Sequence, residues 1–392
     1  MDFSEENSAP SGDGRIINVI EEFDYSTQSK QYSESFKEWR KKKENPFSFS
    51  FEMNPKESIY VDGRGFMVGS VQAAEKEALL RVFYIIGVAA LMWVVVVNVL
   101  GKLLVLCMDL AGLDIHLDSF KNSLYGDHTW IVTLLVIINL TKILVPALYL
   151  LMRFKLPLNV GMMNSKHDSQ GLVSAVGMIL IACTLFSLSS AYSSDTKEVF
   201  RYLRSLNTDV SVWNQTEFIL YTIFDVLIIS TAEELFFRGA MFAVLRQFGD
   251  KFAVIMTTVT AVLLAENVDD IIPVITISLI ASYGMLRSGS IFTAIIVRII
   301  YNTYILAVIV IEADTSNEMT VTRNMFMVLM LCFGGILLLF SWLLAKMRYR
   351  KTFVEVKYEL TLWDKVVNSV KVFPYSAVAA ISIVYLIVKA VR

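Results

Sequence analysis

The sequence is poor in cysteine and histidine, and each scarcity excludes a class of site. Only three cysteines and three histidines occur among 392 residues. The cysteines all lie inside apolar runs, so we expect inert packing residues rather than a disulfide framework or a metal cluster. The histidines all precede residue 170 and lie in polar connections, which leaves none for a site further along the chain. These six residues are Cys107, Cys183, Cys332, His116, His128 and His167.

Charged residues are also scarce, which excludes an ordinary soluble domain. They make up 18% of the chain, whereas hydrophobic residues make up 55%, and the mean hydropathy is +0.56. This composition is typical of a polytopic membrane protein whose first partner is the lipid bilayer. The net charge of −2 gives no indication of a nucleic-acid partner, and we expect none.

The first 78 residues are the polar exception to this composition. The opening MDFSEENSAPSGDG is acidic and has no apolar core, so we expect no cleavable signal peptide. A basic cluster, KEWRKKK, occupies 37–43. We interpret 1–78 as a cytosolic extension that is partly disordered. It is either a solvated tail or a segment attracted to anionic lipid headgroups or to a partner.

The apolar runs that follow are long enough to cross a bilayer and predict an all-α, polytopic bundle of eight to nine transmembrane helices. The fifth and sixth runs are short, which predicts a tight hairpin, and the ninth could lie partly in the interface because of Pro374. We divide the chain into N-terminal transmembrane helices (79–170), a central core (171–312) and C-terminal helices with a basic cytosolic loop (313–392). The runs are 82–107, 129–152, 171–192, 216–237, 252–267, 270–286, 290–311, 324–345 and 373–391.

The distribution of lysine and arginine orients the bundle with its N-terminus in the cytosol. With that orientation, the cluster at 37–43 and the strongly basic KMRYRK at 346–351 are both internal. The acidic or neutral segments ENVDD and EADTSNEMT are then external. The loop at 193–215, which contains three basic residues, is the one segment that disagrees.

Seven ionisable residues stand out within or directly beside these apolar runs, where each costs about 2.5–3.5 kcal/mol and needs a partner or a wet cavity. Glu234 and Arg238 are four residues apart, so they share a helical face and can pair. Glu233 is rotated by about 100° from Glu234 and must find its partner on another span. The simplest interpretation is a structural ion-pair cluster that holds the bundle together. The other ionisable residues are Lys142, Asp225, Glu266 and Arg298.

Arg298 and Asn302 share one face of an otherwise apolar helix, which indicates a surface turned toward the bundle interior. Counted from the nearest cytosolic charges at 1.5 Å per residue, Glu233 and Glu266 lie about 20 and 22 Å deep and Arg298 about 12–16 Å. The three can therefore meet in one internal cavity. Two alternatives stay open: Arg298 can snorkel to the near interface, and Glu266 can belong to a solvated turn.

The stretch EELFFRG at 233–239 resembles the EExxxR signature of the CPBP family. This family comprises CAAX prenyl endopeptidases of the Ras-converting type and bacteriocin-processing or immunity (Abi) membrane proteins. The segment LRSGSIFTAIIVRIIYN is similar to the approach to the family's HxxxN motif. The resemblance covers about residues 170–312. In active members, the first glutamate activates water, histidines of an FxxxH and the HxxxN motif assist, and the asparagine helps to stabilise the oxyanion.

Carried over residue by residue, the resemblance assigns the whole first motif to EELFFRG, with Glu233 as the base. In the second motif, Val262 stands at the phenylalanine position and Glu266 at the histidine position. In the third, Arg298 stands at the histidine position and Asn302 is retained. Both histidines are thus replaced, by an acid and a base that can pair with each other. This argues against a metal site built on imidazoles, and no cofactor is implied.

Three functions are compatible with these residues. The first is a catalytically silent member of the family that acts as a scaffold or regulator for another membrane protein or a membrane-inserted peptide. The second is an active intramembrane endopeptidase with Glu233 as the base and Glu266 as the acid. Asn302 or Arg298 would then stabilise the oxyanion. The third is a lipid or small-molecule binder or transporter, although no inverted repeat favours transport. We expect a location in the bacterial plasma membrane.

Overall fold

The structure is a computed structural model that is mostly helical, with helices accounting for 86% of it. Two residues of interest from the sequence, His167 and Glu266, lie outside the described residues. The described ranges are 30–42, 45–48, 59–61, 65–67, 71–118, 123–163, 168–189, 214–265, 268, 270–312, 317–347 and 360–391.

The helices follow one another through short connections, and apolar side chains from most of them share one large core. Their bounds are α1 Lys30–Lys41, α2 Val71–Val95, α3 Gly101–Leu110, α4 His128–Phe154, α5 Leu158–Gly161, α6 Ser169–Ser189, α7 Gln215–Ile223, α8 Ser230–Glu234, α9 Ala243–Leu245, α10 Asp250–Leu263, α11 Ile271–Ser288, α12 Ile291–Glu312, α13 Asn317–Met347, α14 Leu362–Val370 and α15 Tyr375–Val391.

The all-α expectation holds apart from two short antiparallel strand pairs. Strand β1 (Ile59–Val61) pairs with β2 (Gly65–Met67). Strand β3 (Ile115–Asp118) pairs with β4 (Ser123–Gly126) between α3 and α4, so this hairpin caps one end of the bundle.

Several helices are joined without a break. A π-helical turn, Val96–Leu100, connects α2 to α3. The stretch 215–248, which we call the motif helix, runs through α7, α8 and α9 and ends in a single 3₁₀ turn. Two further π-helical segments, Phe224–Ile229 and Leu235–Phe242, flank α8 within it.

Six helices in the described part of the chain are long and apolar enough to cross a membrane, as expected for an integral membrane protein. The number rises to seven if α14 and α15, which meet at 80°, count as one bent span. The eight to nine spans expected from the sequence are therefore not confirmed. The six are Glu75–Leu110, His128–Phe154, Ser169–Ser187, Ile271–Ser288, Ile291–Val308 and Val321–Lys346.

Two of the predicted runs explain the difference. The run at 216–237 lies in the motif helix and contains four acidic residues, which lower its affinity for lipid. Next along this helix, every residue of Phe236–Phe242 is buried, so protein surrounds it there. The run at 252–267 belongs to α10, whose 14 residues span about 21 Å, less than the roughly 30 Å hydrocarbon thickness.

Helices α6 and α13 approach closely through a pair of glycines. A Cβ atom added to Gly177 would lie 2.9 Å from the carbonyl oxygen of Gly334, and one added to Gly334 would lie 3.0 Å from that of Gly177. Small residues at a helix crossing let the two backbones come into contact, as is common between membrane helices. Most of the remaining surface of α13 is exposed in this structure and is available to lipid.

The N-terminal extension is not a solvated tail throughout, because α1 packs onto the bundle. Tyr32, Phe36 and Trp39 are buried on one face of α1, and Trp39 Nε1 donates a hydrogen bond to the carbonyl oxygen of Phe154, 2.9 Å away. Arg246 Nη1 donates to the Tyr32 hydroxyl over 3.0 Å. Burial raises the pKa of the Tyr32 hydroxyl, and the nearby Arg246 partly opposes that shift. The prediction of a solvated tail is therefore wrong for 30–41.

Candidate functional site

The site is built around the motif helix, and its two π-helical segments determine how its side chains are presented. Hydrogen bonds from residue i to i+5 widen the helix locally, and such segments are frequent at functional sites. Between them, α8 carries Ser230, Glu233 and Glu234, all buried. These segments leave no clear signal in the sequence, and we did not predict them.

Glu234 and Arg238 form the pair expected from their spacing. Arg238 Nη1 lies 3.2 Å from the Glu234 carboxylate, and both side chains are almost fully buried. Arg238 Nη2 also donates to the carbonyl oxygen and to the hydroxyl of Ser278 in α11, over 2.9 and 2.8 Å. The Ser278 hydroxyl in turn bonds to Thr258 of α10, 2.9 Å away. This pair therefore fastens the motif helix to α10 and α11.

Glu233 finds its partner on another helix, as the sequence predicted, and that partner is Arg298 of α12. Arg298 Nε donates to Glu233 Oε2 over 2.7 Å, and Arg298 Nη2 donates to the same oxygen. Both residues are buried, with Arg298 8% exposed. The alternative in which Arg298 snorkels to the interface is therefore wrong.

Asn302 faces the interior beside Arg298, one turn further along α12. Its Nδ2 donates to the Ser230 hydroxyl on the motif helix, 2.7 Å away. The Ser230 hydroxyl also lies 3.4 Å from the carbonyl oxygen of Asp225. Asn302 and Arg298 therefore hold α12 against α8 through one neutral and one charged contact. Ser230 was missed from the sequence because a single serine in an apolar run carries no periodic signal.

Asp225 and Lys142 extend the network, as the sequence suggested. Both are buried, and Asp225 interacts electrostatically with Lys142, Glu233 and Arg298. The Lys142 ammonium also lies over the ring of Trp93, 5.7 Å from its centroid. With Glu234 and Arg238 included, three carboxylates face three cations among the described residues of this network.

Glu266 lies outside the described residues, so its predicted pairing with Arg298 stays a prediction. The described ion pair of Arg298 is with Glu233. The site residues that the structure brings together are Glu233, Glu234, Arg238, Arg298 and Asn302.

The described histidines lie away from this network. His116 lies in β3, with its ring nitrogens 3.1 Å from Asp109 and 3.4 Å from Asp114. His128 begins α4, about 21 Å along the helix from Lys142 at 1.5 Å per residue. Among the described residues, no group of three or more histidine, cysteine, aspartate or glutamate side chains could hold a metal ion.

Comparison with known proteins places this geometry in a family context. Residues 215–304, which run from the start of the motif helix into α12, match the family model described as type II CAAX prenyl endopeptidase Rce1-like. This segment is therefore similar to a CPBP-type protease core, and we call it the CPBP-like core. The resemblance based on EELFFRG is thereby confirmed for this segment. No curated protein and no solved structure is significantly similar to the chain.

The CPBP-like core thus contains both halves of the site. The motif helix contributes the two glutamates of the first motif, and α12 contributes Arg298 and Asn302 at the positions of the third motif. By the assignment made from the sequence, Arg298 stands where the family pattern has a histidine, and its guanidinium contacts Glu233, the predicted base.

Proposed function

We propose that this protein is a catalytically silent CPBP-type membrane protein that acts as a scaffold or regulator for a membrane partner. The observation that supports silence is the Glu233–Arg298 ion pair, in which one carboxylate oxygen accepts hydrogen bonds from both Nε and Nη2.

Arg298 differs from a histidine in the property that catalysis needs. A neutral imidazole can accept a proton at one nitrogen and donate one at the other, so it can relay protons near neutral pH. A guanidinium has donors only and keeps its charge in proteins, so it cannot serve as a general base or return a proton to a leaving group. Arg298 is therefore suited to hold Glu233 but not to assist it.

Releasing Glu233 to activate water would require breaking a buried ion pair inside the membrane. Separating such a pair leaves an uncompensated charge, which costs about 3–5 kcal/mol. At about 1.4 kcal/mol per tenfold change in rate, this lowers turnover by on the order of 10²- to 10⁴-fold before any chemistry begins. The pair thus favours a structural role for the residues that the family uses in hydrolysis.

The partner class follows from the environment and the family. A core embedded in lipid meets membrane proteins and membrane-inserted peptides, and the matched family is named for its action on CAAX prenyl substrates.

We propose that the cytosolic end of the bundle is the one covered by α1. Exposed basic residues concentrate there at the helix ends, including Arg153, Lys155 and Lys251, as the positive-inside rule requires.

Two measurements on the full-length protein test the proposal. In proteoliposomes, the wild type should cleave neither a prenylated CAAX peptide nor its unprenylated form. In native membranes, crosslinking should recover the same partner with the wild type and with Glu233→Gln. Cleavage by the wild type that Glu233→Gln abolishes, with abundance and folding unchanged, would establish an active endopeptidase and overturn the proposal.

A further inference from the structure

The C-terminal region forms an elbow whose first arm is short. Helix α14 (Leu362–Val370) meets the apolar helix α15 at an angle of 80°. If α15 crosses the membrane close to its normal, α14 lies close to the membrane plane. Its nine residues extend about 13 Å, too short to span any bilayer.

One side of α14 is fixed to the bundle by a buried lysine. Lys365 Nζ lies 2.8 Å from Glu75 Oε1 near the start of α2 and donates to the carbonyl oxygen of Phe248 over 3.0 Å. The other Glu75 oxygen accepts a hydrogen bond from the backbone N–H of Leu360, 3.1 Å away. The orientation of α14 about its own axis is therefore fixed by contacts that are almost completely buried.

The remaining surface of α14 has two faces of opposite character. At about 100° per residue, Leu362, Trp363 and Val370 fall within a sector of about 100°. All three are exposed, as is Phe373 just beyond the helix, with Trp363 at 73% and Phe373 at 76%. The polar Asp364 lies on the opposite side of the helix from the middle of that sector, and it too is exposed.

We infer that α14 is an in-plane anchor that inserts its apolar face, Leu362, Trp363, Val370 and Phe373, into the boundary between lipid headgroups and acyl chains. In this placement the Asp364 side of α14 faces water and the Trp363 side faces lipid. The side that carries Lys365 faces the bundle. An amphipathic helix lying in the interface has this distribution, and tryptophan is enriched at that depth. The occupant of the apolar face is thus lipid.

This anchor is linked to the candidate site by Lys365 and the motif helix. Phe248, which accepts the hydrogen bond from Lys365, is the last residue of the motif helix, and that helix carries Glu233 and Glu234. The lipid-contacting elbow and the ion-pair cluster are therefore connected by one helix and one buried lysine. This placement does not depend on whether the core is catalytic.

Spin-label accessibility in proteoliposomes tests the inference. Single cysteines replace Trp363, Val370, Phe373 and, as matched controls on the polar face, Asp364 and Asn368. The three free cysteines, Cys107, Cys183 and Cys332, are first removed. Only variants that elute as a single species with unchanged thermal stability are compared.

The expected result is a reversal of accessibility between the two faces. Labels at 363, 370 and 373 should collide more with oxygen, which partitions into lipid, than with a water-soluble nickel chelate. Labels at 364 and 368 should show the opposite preference. Equal exposure of both faces to the chelate would place α14 in water. Exclusion of both reagents at 363 and 373 would indicate coverage by protein, such as a second copy. Either outcome would overturn the inference.

Discussion

Arg298 of α12 directs two N–H donors at a single carboxylate oxygen of Glu233, 65 residues earlier in the chain. The contact joins the two segments, EELFFRG and RIIYN, to which the sequence-based resemblance assigned the base and its assisting residue. A contact between a permanently charged donor and a buried acceptor has consequences for stability as well as for chemistry.

The first prediction concerns the stability of this pair. Arg298→Ala should destabilise the protein by about 3–5 kcal/mol, because it leaves the Glu233 charge buried without a partner. The double variant Glu233→Gln/Arg298→Met should recover most of this loss, because neither charge is then buried. Thermal unfolding in detergent micelles measures both. Glu233→Gln and Arg298→Met are also measured singly, and additive effects of these two substitutions would show that the pair is not energetically coupled.

The second prediction concerns the missing imidazoles. Glu266→His/Arg298→His restores the two histidines of the family's second and third motifs and leaves Val262 in place of the phenylalanine. Because imidazoles can relay protons, this variant should cleave a CAAX peptide in proteoliposomes faster than the wild type does. Adding Glu233→Gln should abolish the gain. If the wild type is at least as active as the double variant, the arginine is not what silences the core.

The third prediction concerns the buried lysine of the C-terminal elbow. Lys365→Ala removes the partner of Glu75 and a donor to Phe248, so it should lower the free energy of unfolding by about 3–5 kcal/mol. Lys371→Ala is the matched control, since Lys371 is exposed at the end of the same helix. It should change stability by less than about 0.5 kcal/mol. Comparable losses in both variants would mean that the general charge of α14 matters rather than the buried contact.

The fourth prediction concerns the docking of α1. Trp39→Ala removes a buried ring and the hydrogen bond to Phe154. The lost burial and the cavity that remains should cost about 3–5 kcal/mol of stability. Because α1 is held on the bundle by side-chain packing and hydrogen bonds rather than by a continuous helix, its release should precede global unfolding. Limited trypsin digestion should then cut faster after Lys41 and Lys42. The exposed neighbour Glu38, changed to alanine, should leave the digestion rate unchanged.

The sequence predicted the charged half of the site because ionisable residues are conspicuous in apolar runs. The four-residue spacings of Glu234 with Arg238 and of Arg298 with Asn302 placed each pair on one face, and the structure agrees. The need of Glu233 for a partner on another helix followed from its rotation away from Glu234. These inferences use only helical geometry and the cost of charge in hydrocarbon.

The neutral side chains of the site, the docking of α1 and the number of membrane spans were not predicted from the sequence. Ser230 and Ser278 supply hydroxyls to Asn302 and Arg238, but serine is common in apolar helices and its spacing indicates no particular partner. The docking of α1 did leave a signal: Tyr32, Phe36 and Trp39 are four and three residues apart, which is one helical face. The polar average of 1–78 concealed it. The described residues contain fewer candidate spans than hydropathy predicted, because hydropathy alone does not separate a lipid-facing helix from one enclosed by protein.

The two π-helical segments make the motif helix tolerant of a change in its length. A π turn holds one residue more than the α turn it replaces, so deleting one residue from Phe224–Ile229 would let that stretch return to α-helix. The helix on either side would keep its orientation about the axis, because the remaining turn closes the same circle with one residue fewer. Glu233 would therefore keep its contact with Arg298. Loss of a single codon in this stretch would be absorbed by the widened turn, whereas the same loss from an ordinary α-helical turn would rotate one half of the helix against the other by about 100°.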